Sequence, residues 1–374
     1  MESIENEKIS EEICNNNLSV NESILSFPKC LIVENLDFQS IDNNNNNKEN
    51  NRENIVKGDI SGDTSKNVSN EIVIDIPENL SYKNKKSENE YNILTISGGS
   101  TKGFIALGLL QYLQDNFYLK NITIFRGTSI GAMICYLLII GYTPIEIIRY
   151  ICIHRIFENV PCLNFTGMMS GEGSIPYTDI QNNLEKLTIE KIGQFVNFSQ
   201  LYNITGKKLF CPTFNVTQNK LEYLSIDTYP EMPCLTAIRM SCGLPILFSN
   251  FKYMGNYYID GYLDNFPLPL PTNLLEGDRV LGINMLTQSE GFDIQGKHMG
   301  EYMYYLIFLP VSHNVQLRID SIKNMEQFIM AKYDIIDIPH DNSLFNPFDL
   351  NLSCKIKLDL FSKGYYLGKK YYEE

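Results

Sequence analysis

Five consecutive residues, Gly127-Thr128-Ser129-Ile130-Gly131, carry the strongest chemical signal in the chain. They set a serine between glycines two positions away on either side, and they lie between a strand-like and a helix-like stretch. A serine in a sharp strand-to-helix turn takes up strained backbone angles, so those flanking positions must be tiny, and Gly127 and Gly131 are. Such a turn lifts the hydroxyl out of the sheet and sets it at a helix N-terminus, where partial positive charge favours a developing anion. The chemistry on offer is nucleophilic attack on an acyl carbon. The same residues would also serve as a glycine-rich turn with a serine helix cap, so the reading depends on what else the chain supplies.

A second cluster, Gly98-Gly99-Ser100-Thr101-Lys102-Gly103, again falls between strand and helix. Glycine-rich backbone can aim successive N–H groups at one point, which would hold either a phosphate or the oxyanion of a tetrahedral intermediate. A nucleotide-binding loop needs Gly-Lys-Ser/Thr in that order. Here Lys102 precedes the last glycine and Phe104 follows it, so the nucleotide reading fails. An oxyanion hole remains, in which each well-aimed donor lowers the barrier by about 3 kcal/mol. Lys102 has two roles open to it, contact with an anionic head group or plain solvation in the first helical turn.

A serine hydroxyl also needs a base, usually histidine. The chain has four, His154, His298, His313 and His340, and none lies in a glycine- or proline-rich turn at a strand end. Asp260 is better placed, in NYYIDGYLDNFPL, where an aromatic strand delivers a carboxylate into a turn that begins with Gly261. An exposed aspartate, with a pKa of about 3.9, is a poor base. Burial beside Ser129 would raise its proton affinity, and closeness would remove the cost of encounter. Asp227, Asp264 and Asp293 compete, with Asp264 read as shaping the same loop without doing chemistry.

The elements that must position these groups are legible around them. YNILTIS from Tyr91 reads as a buried strand and runs into the first glycine cluster and the periodic helix FIALGLLQYLQD. NITIFR at 121–126 is a second strand, followed by the serine turn and the helix AMICYLLIIGY, closed by Gly141 and Pro144. Two successive strand–turn–helix units predict a parallel sheet with crossover helices, an architecture whose sites form at the carboxyl ends of strands. Further strands are expected at 207–217, 256–260, 279–286 and 334–339, and helices over 300–331 and 354–372.

Taken in order, SGGSTKG, GTSIG and the aspartate of a D-G turn preceded by aromatic strand residues resemble the patatin-like phospholipase family. MSCGLPILF at 240–248 resembles the family's serine-containing, proline-ended segment, and Asn265-Phe266-Pro267 after the aspartate also fits. The resemblance covers Tyr91 to about Pro271. It implies a three-layer α/β/α fold with a mainly parallel central sheet and a nucleophile elbow. It further implies a Ser-Asp dyad and hydrolysis of phospholipid or other lipid acyl esters without a catalytic metal or cofactor. Carried across, Ser129 becomes the nucleophile, Asp260 the base, and the amides around Gly98, Gly99 and Ser100 the oxyanion hole. Two positions depart from the family: Tyr262 stands where Gly or Ala commonly follows Asp-Gly, and Ser100 where a third glycine is frequent.

Bulk properties limit the alternatives. The 374 residues carry 31 Lys and Arg against 44 Asp and Glu, a net −13 with no sustained basic face, which argues against a nucleic-acid partner. Residues 1–90 hold nine of the basic and eighteen of the acidic residues, so −9 of the charge lies there. That segment is rich in Asn, Ser, Glu and Lys with only two short apolar patches, at 31–38 and 72–76, and is expected to be a disordered tail. A catalytic domain over 91–290 and a C-terminal extension over 291–374, packed on the same domain, complete the expected organisation. Nine cysteines without a C-x-x-C pair read as reduced thiols, and Cys152, His154 and Cys162 match no zinc spacing. With no apolar leader at residues 1–20 and no apolar run of membrane-spanning length, a soluble cytoplasmic protein is expected, in peripheral contact with its lipid substrate and with no obligate protein partner. The apolar stretch 302–310 reads first as a buried helix face and second as a bilayer contact. Two other functions fit the same residues: an esterase with a Ser-His-Asp triad, its histidine being His313 or His340, and a catalytically inactive lipid-binding protein.

Overall fold

A computed structural model describes residues 91–156, 158, 175–245, 247–286, 299–325, 332–339 and 352–373, all within one compact unit, Lys86–Glu374. The expected tail at 1–90 lies outside the described residues, as do Cys162, Asp293, His298 and His340.

The sheet forms around β1 (Ile93–Ile96), whose four residues are all buried, as expected of a strand covered on both faces. It pairs in parallel with β2 (Ile124–Gly127) on one side and β7 (Arg279–Asn284) on the other. Beyond β7 lies the parallel β8 (Lys332–Asp337), and beyond β2 lies β3 (Lys208–Asn215), parallel to it through Phe210. From Cys211 onward β3 leaves β2 and becomes the centre of an antiparallel group with β4 (Lys220–Leu224) and β6 (Asn256–Asp260), the latter paired with β5 (Phe251–Tyr253). The order is β5-β6-β3-β2-β1-β7-β8, with β4 also on β3.

Eight α-helices are described. Gly103–Asp115 (α1) follows β1, and Ile130–Ile139 (α2) follows β2. Pro144 opens α3 (Pro144–Ile153) as well as ending the preceding segment, with Thr143 and Glu146 forming a reciprocal capping box. Then come α4 (Thr178–Ile192), α5 (Phe198–Thr205), α6 (Cys234–Ser241), α7 (Met299–Met325) and α8 (Cys354–Glu373). On one face of the sheet Leu94, Ile96, Leu281 and Ile283 join the large core built with α1, α2, α3 and α8. On the other, Ile93 and Val280 pack against Val315, Ile319 and Ile322 of α7 and against Phe266 and Leu268. The protein is therefore a three-layer α/β fold on a central, mostly parallel sheet.

Each expected strand corresponds to one of β1, β2, β3, β6, β7 and β8, and the two late helices to α7 and α8; residues 326–331 lie outside the described residues. Helices α3 to α6 and strands β4 and β5 had no sequence assignment. Helix α4 shows why, since it buries only Ile180, Leu184, Leu187 and Thr188 of its fifteen residues. In the stretch 302–310, Leu306, Leu309 and Pro310 are exposed, and farther along α7 Val311, Val315, Ile319 and Ile322 are buried. No helix among the described residues is long and apolar enough to cross a membrane.

Helices α1 and α8 cross at glycines on both partners. A Cβ on Gly108 would fall 1.8 Å from the Phe361 carbonyl oxygen, and one on Gly364 would fall 1.9 Å from that of Ile105. Gly364→Ala is therefore expected to destabilise the protein by about 1–3 kcal/mol in a denaturant titration, the backbone clash outweighing the gain of about 1 kcal/mol in helix propensity.

Candidate active site

The sequence GTSIG folds into the sharp turn its glycines predict. Ser129 sits at φ 56° and ψ −124°, a conformation costly for any residue with a Cβ. Thr128 donates its N–H to Ile96 O at 3.2 Å, which ties the turn to β1. A Cβ on Gly127 would lie 2.4 Å from Gly131 O, and one on Gly131 would lie 2.4 Å from Ile96 O, so backbone fills the space a side chain would need. The Ser129 amide donates to Ser241 Oγ at 3.3 Å. The hydroxyl is thus presented, half-buried, at the N-terminus of α2.

Asp260 reaches the same place from the far side of β3. Its strand pairs Thr213 opposite Asp260, and its amide donates to Gly243 O at 3.0 Å. The side chain is 1 % exposed, and its Oδ2 is buried with no polar partner among the described residues. Burial pushes the carboxyl from its ordinary 3.8 up to about 7; hydrogen bonds from the Ser129 hydroxyl and the Tyr262 amide pull the other way without cancelling that rise. The carboxylate and the hydroxyl, 131 positions apart in the chain, therefore face one another.

The first glycine cluster stands beside the elbow because β1 and β2 are neighbours, with Ile96 opposite Gly127. Gly98 donates its N–H to Asn265 O at 3.0 Å, so of the three amides expected at an oxyanion hole this one is engaged. Among the described residues the Gly99 and Ser100 amides have no hydrogen-bond acceptor. Gly99 packs so closely on Met285 that a Cβ would lie 2.4 Å from the Met285 Cβ, and a Cβ on Gly103 would lie 2.7 Å from Ile130 Cγ1. Ser100, where a glycine is frequent in the family, has φ 49°. Lys102 is not solvated: it is buried and donates from Nζ to Met285 O at 2.8 Å. Desolvation lowers its ammonium to about 8. Its work is to anchor the end of β7 under the glycine loop, whose other hold on Met285 is the Ser97 hydroxyl, accepting from the Met285 amide at 2.7 Å.

The loop after Asp260 is bound to everything around it. Gly261 leaves no room for a Cβ, which would lie 2.3 Å from Pro212 O. Thr128 Oγ1 donates to Asp264 O at 3.0 Å, Asn265 Nδ2 to Gly98 O at 3.0 Å, and Arg126 Nε to Pro267 O at 2.6 Å. Asp264 accepts from Tyr223 and is ion-paired with Arg318 of α7. It shapes the loop, as expected. Of the other aspartates, Asp227 forms a half-exposed pair with Lys208. Of the histidines, His154 is exposed against the Tyr150 ring and His313 is exposed on α7. Sequence reasoning assigned no site role to Tyr177 and Cys242, both buried beside Ser129 and Asp260; the Cys242 thiol contacts both the Tyr177 and the Ser129 hydroxyls. Tyr177 carries no local signal, and Cys242 stands within MSCGLPILF, a segment marked by its serine and proline and not by its thiol. Among the described residues no group of three His, Cys, Asp or Glu could hold a metal.

The site is thus a strained serine elbow at the carboxyl edge of a mostly parallel sheet, with a glycine loop on the neighbouring strand. Residues 94–271 match the family model described as patatin-like phospholipase. A relative from Invertebrate iridescent virus 6, "Probable lipid hydrolase 463L", is 34 % identical over 187 residues, covering 48 % of this chain and 63 % of the relative. "Uncharacterized protein R571" of Acanthamoeba polyphaga mimivirus is 26 % identical over 289 residues, covering 75 % of this chain and 93 % of that one. Among solved structures, VipD from Legionella pneumophila is similar at 16 % identity and a TM-score of 0.42, over 75 % of this chain and 66 % of that one. The chain spans less than two thirds of the iridovirus relative's length.

Two changes probe the site's conformational strain. Ser100→Gly relieves a left-handed backbone and is expected to raise stability by about 1 kcal/mol, read as a higher denaturation midpoint. Because the folded carboxyl of Asp260 titrates near 7, above its ordinary 3.8, the folded chain holds a proton that the unfolded chain releases, and stability falls as pH rises through that window. Asp260→Asn is accordingly expected to raise Tm at pH 8 by at least roughly 3 °C, with the gain vanishing below about pH 4.

Proposed function

We propose that the chain is a lipid acyl hydrolase of phospholipase A type, acting on membrane phospholipids or related acyl lipids through Ser129 and Asp260, with no metal or cofactor. The observation that carries this reading is the buried Asp260 carboxylate, raised to about 7 and facing a strained serine. At neutral pH such a group is divided between its two protonation states, which suits a residue that must take a proton and return it.

Ser129 Oγ attacks the ester carbonyl carbon while Asp260 accepts its proton. The Gly99 and Ser100 amides stabilise the oxyanion, and the N-terminus of α2 adds favourable potential. Collapse of the tetrahedral intermediate breaks the ester C–O bond, and the departing alcohol takes the proton from Asp260. Water then attacks the acyl-enzyme, giving its proton to Asp260, and the fatty acid leaves as Ser129 recovers the proton. Peripheral contact with a lipid surface supplies the substrate. Against a Ser-His-Asp triad stands the exposure of His313, which is not the setting of a base held against a half-buried serine.

Fatty-acid release from mixed phospholipid vesicles in the presence of EDTA is expected from the wild type and is expected to fall by at least about 1,000-fold in Ser129→Ala and Asp260→Ala. Since the base must be ionised, kcat/KM should rise with pH through a midpoint near 7. Near-full turnover by Asp260→Asn, or loss of release on adding EDTA, would remove the dyad reading.

A further inference from the structure

The nucleophile and the base belong to different parts of the sheet, and one turn touches the backbone of both. At the C-terminal end of α6, Ser241 Oγ accepts the Ser129 N–H at 3.3 Å, and two residues on Gly243 O accepts the Asp260 N–H at 3.0 Å. The turn is itself held from beneath, since Thr213 of β3 donates from Oγ1 toward Met240 O at 3.3 Å and Ile259 O at 2.8 Å. The bond to Ser129 stands out from the others at the elbow. Thr128, Gly131 and Ala132 donate to main-chain carbonyls, of Ile96, Thr128 and Ser129 respectively, whereas the strained serine donates to a side chain 112 positions away. Ser241 is fully buried.

We propose that Ser241 is a positioning residue: its hydroxyl fixes the Ser129 backbone in the left-handed conformation and so holds the nucleophile at working distance from Asp260. The inference rests on the reading of Ser129 and Asp260 as the reacting pair. Without the acceptor, the half-buried Ser129 amide loses its partner in a conformation that already opposes its Cβ, and the serine relaxes away from the carboxylate. The base keeps its burial but loses the hydrogen bond from the Ser129 hydroxyl, so its proton affinity rises.

The test is the rate at which a fluorophosphonate labels Ser129 in the full chain at pH 8, with kcat and KM for fatty-acid release and a thermal melt to establish folding. Ser241→Ala is expected to label about 10- to 100-fold more slowly and to lose kcat by the same factor, with KM nearly unchanged and the pH midpoint moved above that of the wild type. Ser241→Cys keeps the bulk and a weaker acceptor, so an intermediate rate is expected, and this variant decides the matter should the alanine variant fail to fold. A folded variant labelled within about twofold of wild type would overturn the positioning role while leaving the dyad intact. A wild type with no adduct on Ser129 would instead overturn the reading beneath it.

Discussion

The parallel pairing of β1 with β2, in the register that sets Ile96 opposite Gly127, is the constraint on which the rest depends. It brings two glycine-rich turns side by side at the carboxyl edge of the sheet, the first able to offer amide donors and the second a hydroxyl. The contact is as close as backbone allows. Gly131 lies against the Ile96 carbonyl so tightly that no side chain fits, and Thr128 closes the joint by donating to that same carbonyl. A slip of one residue would turn every side chain of β1 to the opposite face and separate the two turns.

Asp260 is governed by a different constraint, the change of partner along β3. By leaving β2 after Phe210 and pairing with β6, that strand carries an aspartate from an antiparallel hairpin to the edge of a parallel sheet. The loop beyond it is then fastened to β1, β2 and α7 through Asn265, Arg126, Thr128 and the Asp264–Arg318 pair. So many attachments let the protein keep an acid buried with one oxygen unpartnered, a cost that the surrounding fold must offset. Strain at Ser129 and desolvation at Asp260 each lower stability, and both are held in place by the surrounding fold.

The C-terminal helix α8, far from the chemistry in sequence, belongs to the same core. It crosses α1 with backbone in near contact at Gly108 and Gly364, and α1 is the helix that follows the glycine loop. Tyr372 of α8 stacks on Tyr118 at 4.3 Å and meets the Tyr91 hydroxyl at 3.1 Å, tying the end of the chain to the residue just before β1.

Local pattern determined a good deal by itself. Gly127 and Gly131 around Ser129, and the aromatic strand ending at Asp260 and Gly261, were legible because each requirement is met within a few residues: a turn that tolerates no side chain, and a period of two in a buried strand. Six strands and the late helices could be read for the same reason. Only the tertiary structure decided what neighbours do to one another. Lys102 has the appearance of a solvated first-turn lysine, and it is buried because Met285, more than 180 positions away, presents a carbonyl to it. The engagement of the Gly98 amide by Asn265, the support of Ser129 by Ser241 and the raised proton affinity of Asp260 likewise arise from contacts between distant segments. Burial and hydrogen-bond partners are properties of the assembled layers, and no local window of sequence contains the groups that set them.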